Sequence, residues 1–164
     1  MMLRIHHLWS IFLVCFLLQA LPQTVVHGVE LRMVKRVADG DTIVLDNGEL
    51  VRLIGIKAPE IKHASTKTGA EMGKEASAFT RKLVEGKRVK LEFDQSSVNG
   101  NHKDSRKRTL AYVFLADGTF LNAELLKQGY AFTIPGLVHK YGEEFRRLER
   151  EARENKRGLW GKEK

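Results

Sequence analysis

The stretch that decides the fold is LRMVKRVADGDTIVLDNGELVRLIGI, residues 31–56. It contains three short segments rich in β-branched or alternating apolar side chains, a pattern typical of β-strands. Two tight turns separate them, Ala38–Asp41 and Asp46–Gly48, and the glycine of the second supplies the positive φ of a hairpin turn. The stretch therefore predicts an antiparallel meander, and Gly55 in its third strand indicates a bend of the kind found in small barrels.

The remaining chain predicts helices and two further strands. Apolar residues recur at helical spacing at Met72, Ala76, Phe79 and Leu83. Gly86 is placed to end this helix, and the polar residues 61–70 before it are expected to form a loop. Alternating patterns predict strands at Arg88–Phe93 and Leu110–Leu115, with a polar, basic loop between them.

Two predicted helices follow these strands. Asn122 is a suitable N-cap for a short helix that ends at Gly129. The buried stripe of the last helix is expected at Tyr141, Phe145, Leu148 and Ala152. This order of elements predicts an α+β fold in which about three helices pack on a five-stranded, partly open β-barrel, the OB-fold. Barrels of this kind often bind nucleic acids or sugars, but a fold alone does not assign a function.

Residues 1–28 differ in character from the rest of the chain. Arg4 precedes the uncharged run LWSIFLVCFLLQAL at 8–21. A bilayer span needs about 20 residues, so this shorter run with a basic start is typical of a secretory signal peptide. We expect cleavage after Gly28, with Ala20 as a second candidate, and a secreted or periplasmic domain of residues 29–164 that has no stable membrane span. An uncleaved N-terminal anchor is the alternative.

Composition limits the class of protein. The 164 residues suffice for one domain and a leader, and a hydrophobic fraction of 43% excludes a disordered polybasic tail. The formal net charge of +8 becomes +7 when the leader, with Arg4 as its one charged residue, is removed. This excess favours a polyanionic partner such as nucleic acid, an anionic membrane or an acidic protein. The single cysteine, Cys15, lies in the leader, so the domain has no disulfide and no thiolate metal site.

Two motifs contain residues suited to phosphate chemistry. They are DGDT at 39–42 followed by RLIGIKAPE at 52–60, and RTLAY at 108–112. The guanidinium groups of Arg52 and Arg108 are permanently charged, planar forks that suit a phosphate. The carboxylate of Glu60 could orient or deprotonate water. Each arginine alone is explained as a surface charge and Glu60 as a loop carboxylate; together they have the chemistry that phosphodiester hydrolysis needs, which is neutralisation of the phosphoryl oxygens and an attacking water.

These motifs, with the segments 73–94 and RGLW at 157–160, resemble the staphylococcal (micrococcal) nuclease family of thermonuclease-like proteins over nearly all of 31–160. The resemblance implies that Arg52 and Arg108 bind the phosphate, that Glu60 is the catalytic base, and that Asp41 binds Ca²⁺. It implies DNA and RNA as substrates, cleaved with little sequence or sugar specificity. We expect a monomer.

The chain departs from this family at two positions beside Glu60. Lys57 stands where the family has its second calcium-binding carboxylate, and Ala58 stands where it has threonine. Three outcomes follow: a metal-independent enzyme in which Lys57 supplies part of the calcium charge, weak calcium binding through Asp41, Glu60 and waters, or a catalytically impaired OB-fold protein that only binds nucleic acid. A protein that binds anionic lipid or polysaccharide is a further class, which the lack of a basic amphipathic helix disfavours.

The loop before Arg108 departs from the family as well. Ser105 and its two successors replace a lysine, an aromatic residue and a glycine. The residues expected to contact nucleic acid are Lys57, Lys103, Arg106 and Lys107. Such a basic cluster favours contacts with the phosphate backbone over stacking on bases. The family also has a second substrate-facing aromatic residue, in the segment that corresponds to the loop from Phe132 to Tyr141. Tyr130 and Tyr141 are candidates to compensate for it, and the alternative is that each is a core or rim residue. The histidines lack metal-ligand spacing.

Overall fold

The computed structural model describes residues 30–61, 66–95 and 102–161. The leader, with Cys15 and both candidate cleavage sites, lies outside the described residues, so the signal peptide stays a prediction. Within the described part of the chain, no helix is both long and apolar enough to cross a membrane.

The order of the elements follows the predicted one closely. In chain order they are β1 (Leu31–Asp39), β2 (Thr42–Leu45), β3 (Leu50–Leu53), β4 (Ile56–Lys57), α1 (Lys67–Val84), β5 (Arg88–Glu92), β6 (Thr109–Leu115), α2 (Leu121–Lys127), β7 (Phe132–Thr133), α3 (Gly142–Glu154) and a 3₁₀ turn (Gly158–Gly161). Five strands close into a barrel in the order β1-β2-β3-β6-β5, and β4 pairs with β7 beside it. The α+β fold, a five-stranded barrel with three helices packed on it, is confirmed.

The barrel closes through one parallel pairing. β1, β2 and β3 form the antiparallel meander, and β5 is antiparallel to both β1 and β6. β3 and β6 run parallel, with Arg52 opposite Leu110. Strands separated in sequence by α1 and β5 thereby become neighbours, and their starts lie at one edge of the barrel.

The core fills the barrel and the space beneath the last two helices. Its fully buried apolar residues include Val34, Ile43, Leu45, Val51, Val89, Ala111, Val113, Leu121, Leu125 and Phe145. Along β6 the buried and half-buried residues alternate at both ends, while the central Ala111, Tyr112 and Val113 are all buried, because elements outside the barrel cover its wall there. The core therefore fixes the strands whose outer residues form the candidate site.

The third strand ends earlier than the pattern predicts, because Gly55 turns the chain. Gly55 has a φ of +80°, and a Cβ added there would lie 2.6 Å from His139 Cε1 and 2.9 Å from Phe145 Cε2. Since only glycine fits this close approach, the predicted bend is confirmed. Its effect is to split the strand into β3 and β4 and so to redirect the segment that carries Lys57.

Two helix starts differ from the sequence prediction. α1 begins at Lys67, inside the predicted loop, because the Thr66 hydroxyl accepts a hydrogen bond from Gly69 N at 3.0 Å. α2 begins at Leu121, so Asn122 is not its N-cap. Asn122 is fully buried, donates to Ile54 O at 2.9 Å and accepts from Val113 N at 3.1 Å. The amide therefore ties α2 to the barrel wall.

Helix α1 is fastened to the turn between β1 and β2. The buried Thr80 hydroxyl donates its single proton to Gly40 O at 2.7 Å, and it also lies 3.0 Å from Ala76 O. The helix packs so closely that a Cβ on Gly40 would lie 2.7 Å from Ala58 Cβ and 3.0 Å from Ala76 Cβ. The turn that carries Asp39 and Asp41 is therefore held from behind by a helix.

Substituting Thr80→Val removes the donor to Gly40 O and leaves that buried carbonyl unpaired. We expect the free energy of unfolding to fall by about 1–3 kcal/mol. The matched control, Thr68→Val at an exposed position of the same helix, should change it by less than about 0.5 kcal/mol. Urea denaturation measures both, and equal losses in the two variants would contradict the anchoring role of Thr80.

Candidate active site

One cleft brings together most of the residues selected from the sequence. Its volume is about 670 Å³. It opens at the edge of the barrel, beside β3 and the starts of β2 and β6. Its polar lining consists of Asp39, Asp41, Thr42, Arg52, Lys57, Glu60, Ser105, Arg106 and Arg108. All three predicted catalytic residues and the predicted metal ligand therefore lie in one depression.

Asp41 is the most constrained of these residues. Its Oδ1 accepts from Thr42 Oγ1 at 3.0 Å, and its Oδ2 accepts from Ala58 N at 2.8 Å. The same Oδ2 lies 3.2 Å from an amino group of Arg52, and the two side chains are only 10% and 12% exposed. This ion pair, together with a bond from Arg52 to Leu53 O at 2.8 Å, fixes the guanidinium at the wall of the cleft.

Arg108 is oriented by Asp104, a residue that the sequence analysis did not select. Asp104 Oδ2 lies 2.8 Å from Arg108 Nε and 2.7 Å from one of its terminal amino groups. Asp104 Oδ1 accepts from the backbone N–H groups of Arg106 and Arg108 at 2.9 and 3.0 Å. The carboxylate thus shapes the tight turn and holds the guanidinium side-on, which leaves further N–H donors of the fork for a phosphate.

The third pair, Lys57 and Glu60, is loose. Lys57 Nζ lies 3.7 Å from Glu60 Oε1, and the side chains are 61% and 45% exposed. Lys57 belongs to β4, where it pairs with Phe132, while Glu60 follows in the loop. An exposed pair at this distance contributes little energy, so both side chains can change partners.

The predicted basic residues separate into two groups. Arg106 and Lys57 line the cleft, whereas Lys103 and Lys107 are exposed outside its lining. Lys103 forms an isolated β-bridge with Thr109 and lies near Glu49. The hydrogen bond from the Thr109 hydroxyl is the main cause that lowers the pKa of Glu49, and the charge of Lys103 lowers it further. Lys107 has a φ of +62° within the Asp104 turn. The direct contribution of charge to the cleft therefore comes from four cations, Arg52, Lys57, Arg106 and Arg108.

Burial and neighbouring charges shift the ionisation of this site. Burial is the main reason that the pKa of Asp39 is raised; the Gly40 N–H opposes the shift, and Asp41 and Glu60 add to it. Burial also lowers the pKa of Arg52, with Asp41 opposing this shift and Arg108 adding to it. The charges of Arg52 and Arg108 therefore interact, as expected of two groups that are close enough to bind one anion.

The resemblance to a calcium-dependent family raises the question whether these residues fit that ion. Ca²⁺ takes six to eight oxygen ligands. Both oxygens of Asp41 already accept hydrogen bonds, and one of them also faces Arg52. Lys57, on β4, adds a second positive charge to the same cleft. Across 30–61, 66–95 and 102–161, no three His, Cys, Asp or Glu side chains form a group that could hold a metal. The residues do not fit a calcium ion, and no chemical step is assigned to one.

A second, more apolar pocket of about 410 Å³ adjoins the two arginines. Besides Arg52 and Arg108, its lining includes Leu110, Ile134, Leu137, Val138 and His139. Neither candidate aromatic residue lines it or the cleft: Tyr130 stacks on Phe79, and Tyr141 packs against Phe120 and donates its hydroxyl to Glu92. Both tyrosines are therefore core or rim residues that belong to packing clusters, and neither lies where it could stack on a base in the cleft.

A buried network supports this second pocket. The Tyr112 hydroxyl donates to Asp94 and lies 3.1 Å from His139 Nδ1, and Lys140 N donates to the same Asp94 oxygen at 2.9 Å. Burial lowers the pKa of His139, with Asp94 opposing the shift. His139 is thus a structural residue. Tyr112, in the LAY motif, and Asp94, just after β5, are both visible in the sequence, but their pairing depends on the register of the barrel strands.

Comparisons with known proteins point to one family. The family described as "Staphylococcal nuclease homologue" matches residues 50–162. The thermonuclease of Staphylococcus intermedius is 40% identical over 134 residues, covering 78% of this chain and 74% of the relative. The thermonuclease of Staphylococcus hyicus is 37% identical over 76% of this chain and 72% of its own length. The endonuclease YncB of Bacillus subtilis is 36% identical over 77% and 60%.

A match of this extent, to a chain that folds into the predicted barrel, establishes the relationship. It also confirms the enzyme class expected from the sequence, a nuclease. This chain belongs to the staphylococcal nuclease family.

Proposed function

We propose that the protein hydrolyses phosphodiester bonds of DNA and RNA with little sequence or sugar specificity. The observation that carries the proposal is the cleft, in which two arginines and a carboxylate converge from β3, the start of β6 and the loop after β4. The catalytically impaired nucleic-acid binder is the weaker alternative, because simple binding would not need Glu60 within the phosphate cleft.

In the proposed reaction, Arg52 and Arg108 bind the non-bridging oxygens of the scissile phosphate. Glu60 takes a proton from water as the water oxygen attacks phosphorus. The bond to the leaving oxygen breaks on the opposite side, and that oxygen takes a proton from solvent. Because the arginine positions are set by Asp41 and Asp104, their N–H donors are aimed before the substrate arrives, and donors held in place in this way stabilise charge that develops in a transition state.

The apolar pocket supports low base specificity. A base next to the scissile phosphate would lie against aliphatic side chains such as Leu110, Ile134 and Leu137. Aliphatic groups offer no hydrogen bonds by which one base edge is distinguished from another. Arg106 at the cleft, with Lys103 and Lys107 outside it, would hold the backbone by charge, and this contribution weakens with salt.

The proposed roles predict the effect of three conservative variants, Arg52→Lys, Arg108→Lys and Glu60→Gln. Each should lower kcat on plasmid DNA and on RNA by about a hundredfold or more, since each removes an aimed donor or the proton acceptor. Arg36→Lys, at an exposed position of β1 outside the cleft, is the control and should keep full activity. Unaltered turnover in Glu60→Gln would contradict its role as base.

Asp104 is proposed to position Arg108, so Asp104→Asn should lower kcat about tenfold by loosening the guanidinium. Although burial raises the pKa of Asp104, hydrogen bonds and charge from Arg108 lower it overall. The pair's stabilisation is therefore fully present above the unfolded pKa, about 3.9, and is lost as the pH falls through the lower folded value.

Rate measurements across pH check this prediction. The difference between wild type and Asp104→Asn should persist through neutral pH and narrow only in acid. Asp46→Asn, in an exposed turn where Oδ1 accepts from Asn47 N at 3.0 Å, is the matched control. A reduced activity in the control equal to that of Asp104→Asn would argue against a positioning role.

We also propose that residues 1–28 direct secretion, leaving a monomeric nuclease of 29–164 in the periplasm or medium. Expressed in a bacterium, the protein recovered outside the cytoplasm should begin at Val29 by N-terminal sequencing. Deleting residues 2–28 should retain it in the cytoplasm. Recovery of the uncut chain in the membrane fraction would favour the anchor instead.

A further inference from the structure

We propose that the Lys57 ammonium binds the substrate phosphate and supplies the cationic charge that a divalent metal would otherwise provide, so that this nuclease works without a metal ion. The inference rests on the proposed function, because it names the source of charge in that same cleft. It follows from how the four cations of the cleft are paired.

The two arginines of the cleft are already committed to carboxylates. Arg52 faces Asp41 at 3.2 Å, and Arg108 faces Asp104 at 2.7 Å, in pairs whose side chains are 10–23% exposed. Each pair is close to neutral, so the arginines contribute direction and hydrogen bonds more than net charge. A phosphodiester that passes through its transition state spreads negative charge over its oxygens and needs an uncompensated cation nearby.

Among the three cleft cations that face a carboxylate, Lys57 has the weakest pairing; the fourth, Arg106, is exposed in the Asp104 turn and forms no ion pair with another described residue. Its ammonium lies 3.7 Å from Glu60 Oε1, and 61% of its side chain is exposed. A phosphate oxygen can replace this carboxylate at small cost, because an exposed pair of this kind is worth about 0–1 kcal/mol. When Lys57 turns to the phosphate, Glu60 loses its partner and becomes available to water. A single exchange of partners therefore supplies the charge and frees the base.

The backbone of Lys57 is fixed, whereas its side chain is mostly exposed and its ammonium is loosely paired. Lys57 pairs with Phe132 across the β4–β7 sheet, and the next residue donates Ala58 N to Asp41 at 2.8 Å. The Cα of Lys57 is therefore held beside the Asp41–Arg52 pair. The flexible four-carbon stem allows the compact ammonium to reach a phosphate bound there.

The same arrangement opposes a dication. An ion seated on Asp41 would have to displace donors from Thr42 and Ala58 and would lie near the positive charges of Arg52 and Lys57. Hard cations need several oxygen ligands, whereas the side chain of Lys57, the last residue of β4, ends in an ammonium nitrogen. The donor set therefore suits an ammonium and not calcium.

The test compares wild-type rates on a single-stranded oligonucleotide in chelator and in millimolar Ca²⁺. We expect the two rates to agree within about twofold. We also expect Ca²⁺ alone to leave the midpoint of thermal unfolding unchanged, since an ion that binds only the folded state would raise it. Activity that appears only with Ca²⁺, or a Ca²⁺-dependent rise in this midpoint, would overturn the inference and leave the proposed nuclease intact. No activity in either condition would overturn both.

Variants at residue 57 test the role of the ammonium itself. In chelator, Lys57→Met should lower kcat/KM about tenfold to a hundredfold, while Lys57→Arg, which keeps the charge, should retain most of the activity. Lys35→Met removes the same charge from an exposed position of β1 outside the cleft and should have no effect. Thermal unfolding should be the same in all four proteins. Full activity of Lys57→Met in chelator would refute the proposal.

Discussion

The Asp41 carboxylate is the interaction on which the rest of the site depends. It joins three separate elements, because it binds the Thr42 hydroxyl on β2, the Arg52 guanidinium on β3 and the Ala58 N–H after β4. Helix α1 holds the preceding residue through Thr80 and leaves no space for a side chain at Gly40. A buried charge needs such partners to be tolerated. Losing them would release the turn, the arginine and the β4 segment together.

The sequence was sufficient for the fold because local patterns and the barrel agree. The structure keeps three short-range features that are visible in the sequence: the alternation in 31–56, the helical spacing from Met72 to Leu83 and the bend at Gly55. Arg52, Arg108 and Glu60 could also be selected, since the chemistry of each residue type and its place in a motif are visible in the chain. What brings them into one cleft is the parallel β3–β6 pairing, which no local pattern expresses.

The residues missed by sequence reasoning are those whose partners are distant or whose geometry is unusual. Asn122 had the chemistry of a helix cap, but tertiary contacts with Ile54 and Val113 determine its place. Asp104 is near Arg108 in sequence, yet its role depends on a turn in which Lys107 takes a positive φ. Tyr141 was a candidate stacking residue, and its burial among Phe120 and its neighbours could be known only from the fold.

The closure of the barrel by β3 and β6 has a consequence for when the enzyme can act. Arg52 lies on β3 and Arg108 directly precedes β6, so this pairing brings the two arginines together, and long-range parallel contacts of this kind form slowly in folding. A chain that is still unfolded, or that has opened at this pairing, lacks the cleft in which these side chains converge. Nuclease activity is thus coupled to completion of the fold, because the residues of the cleft converge only in the closed barrel.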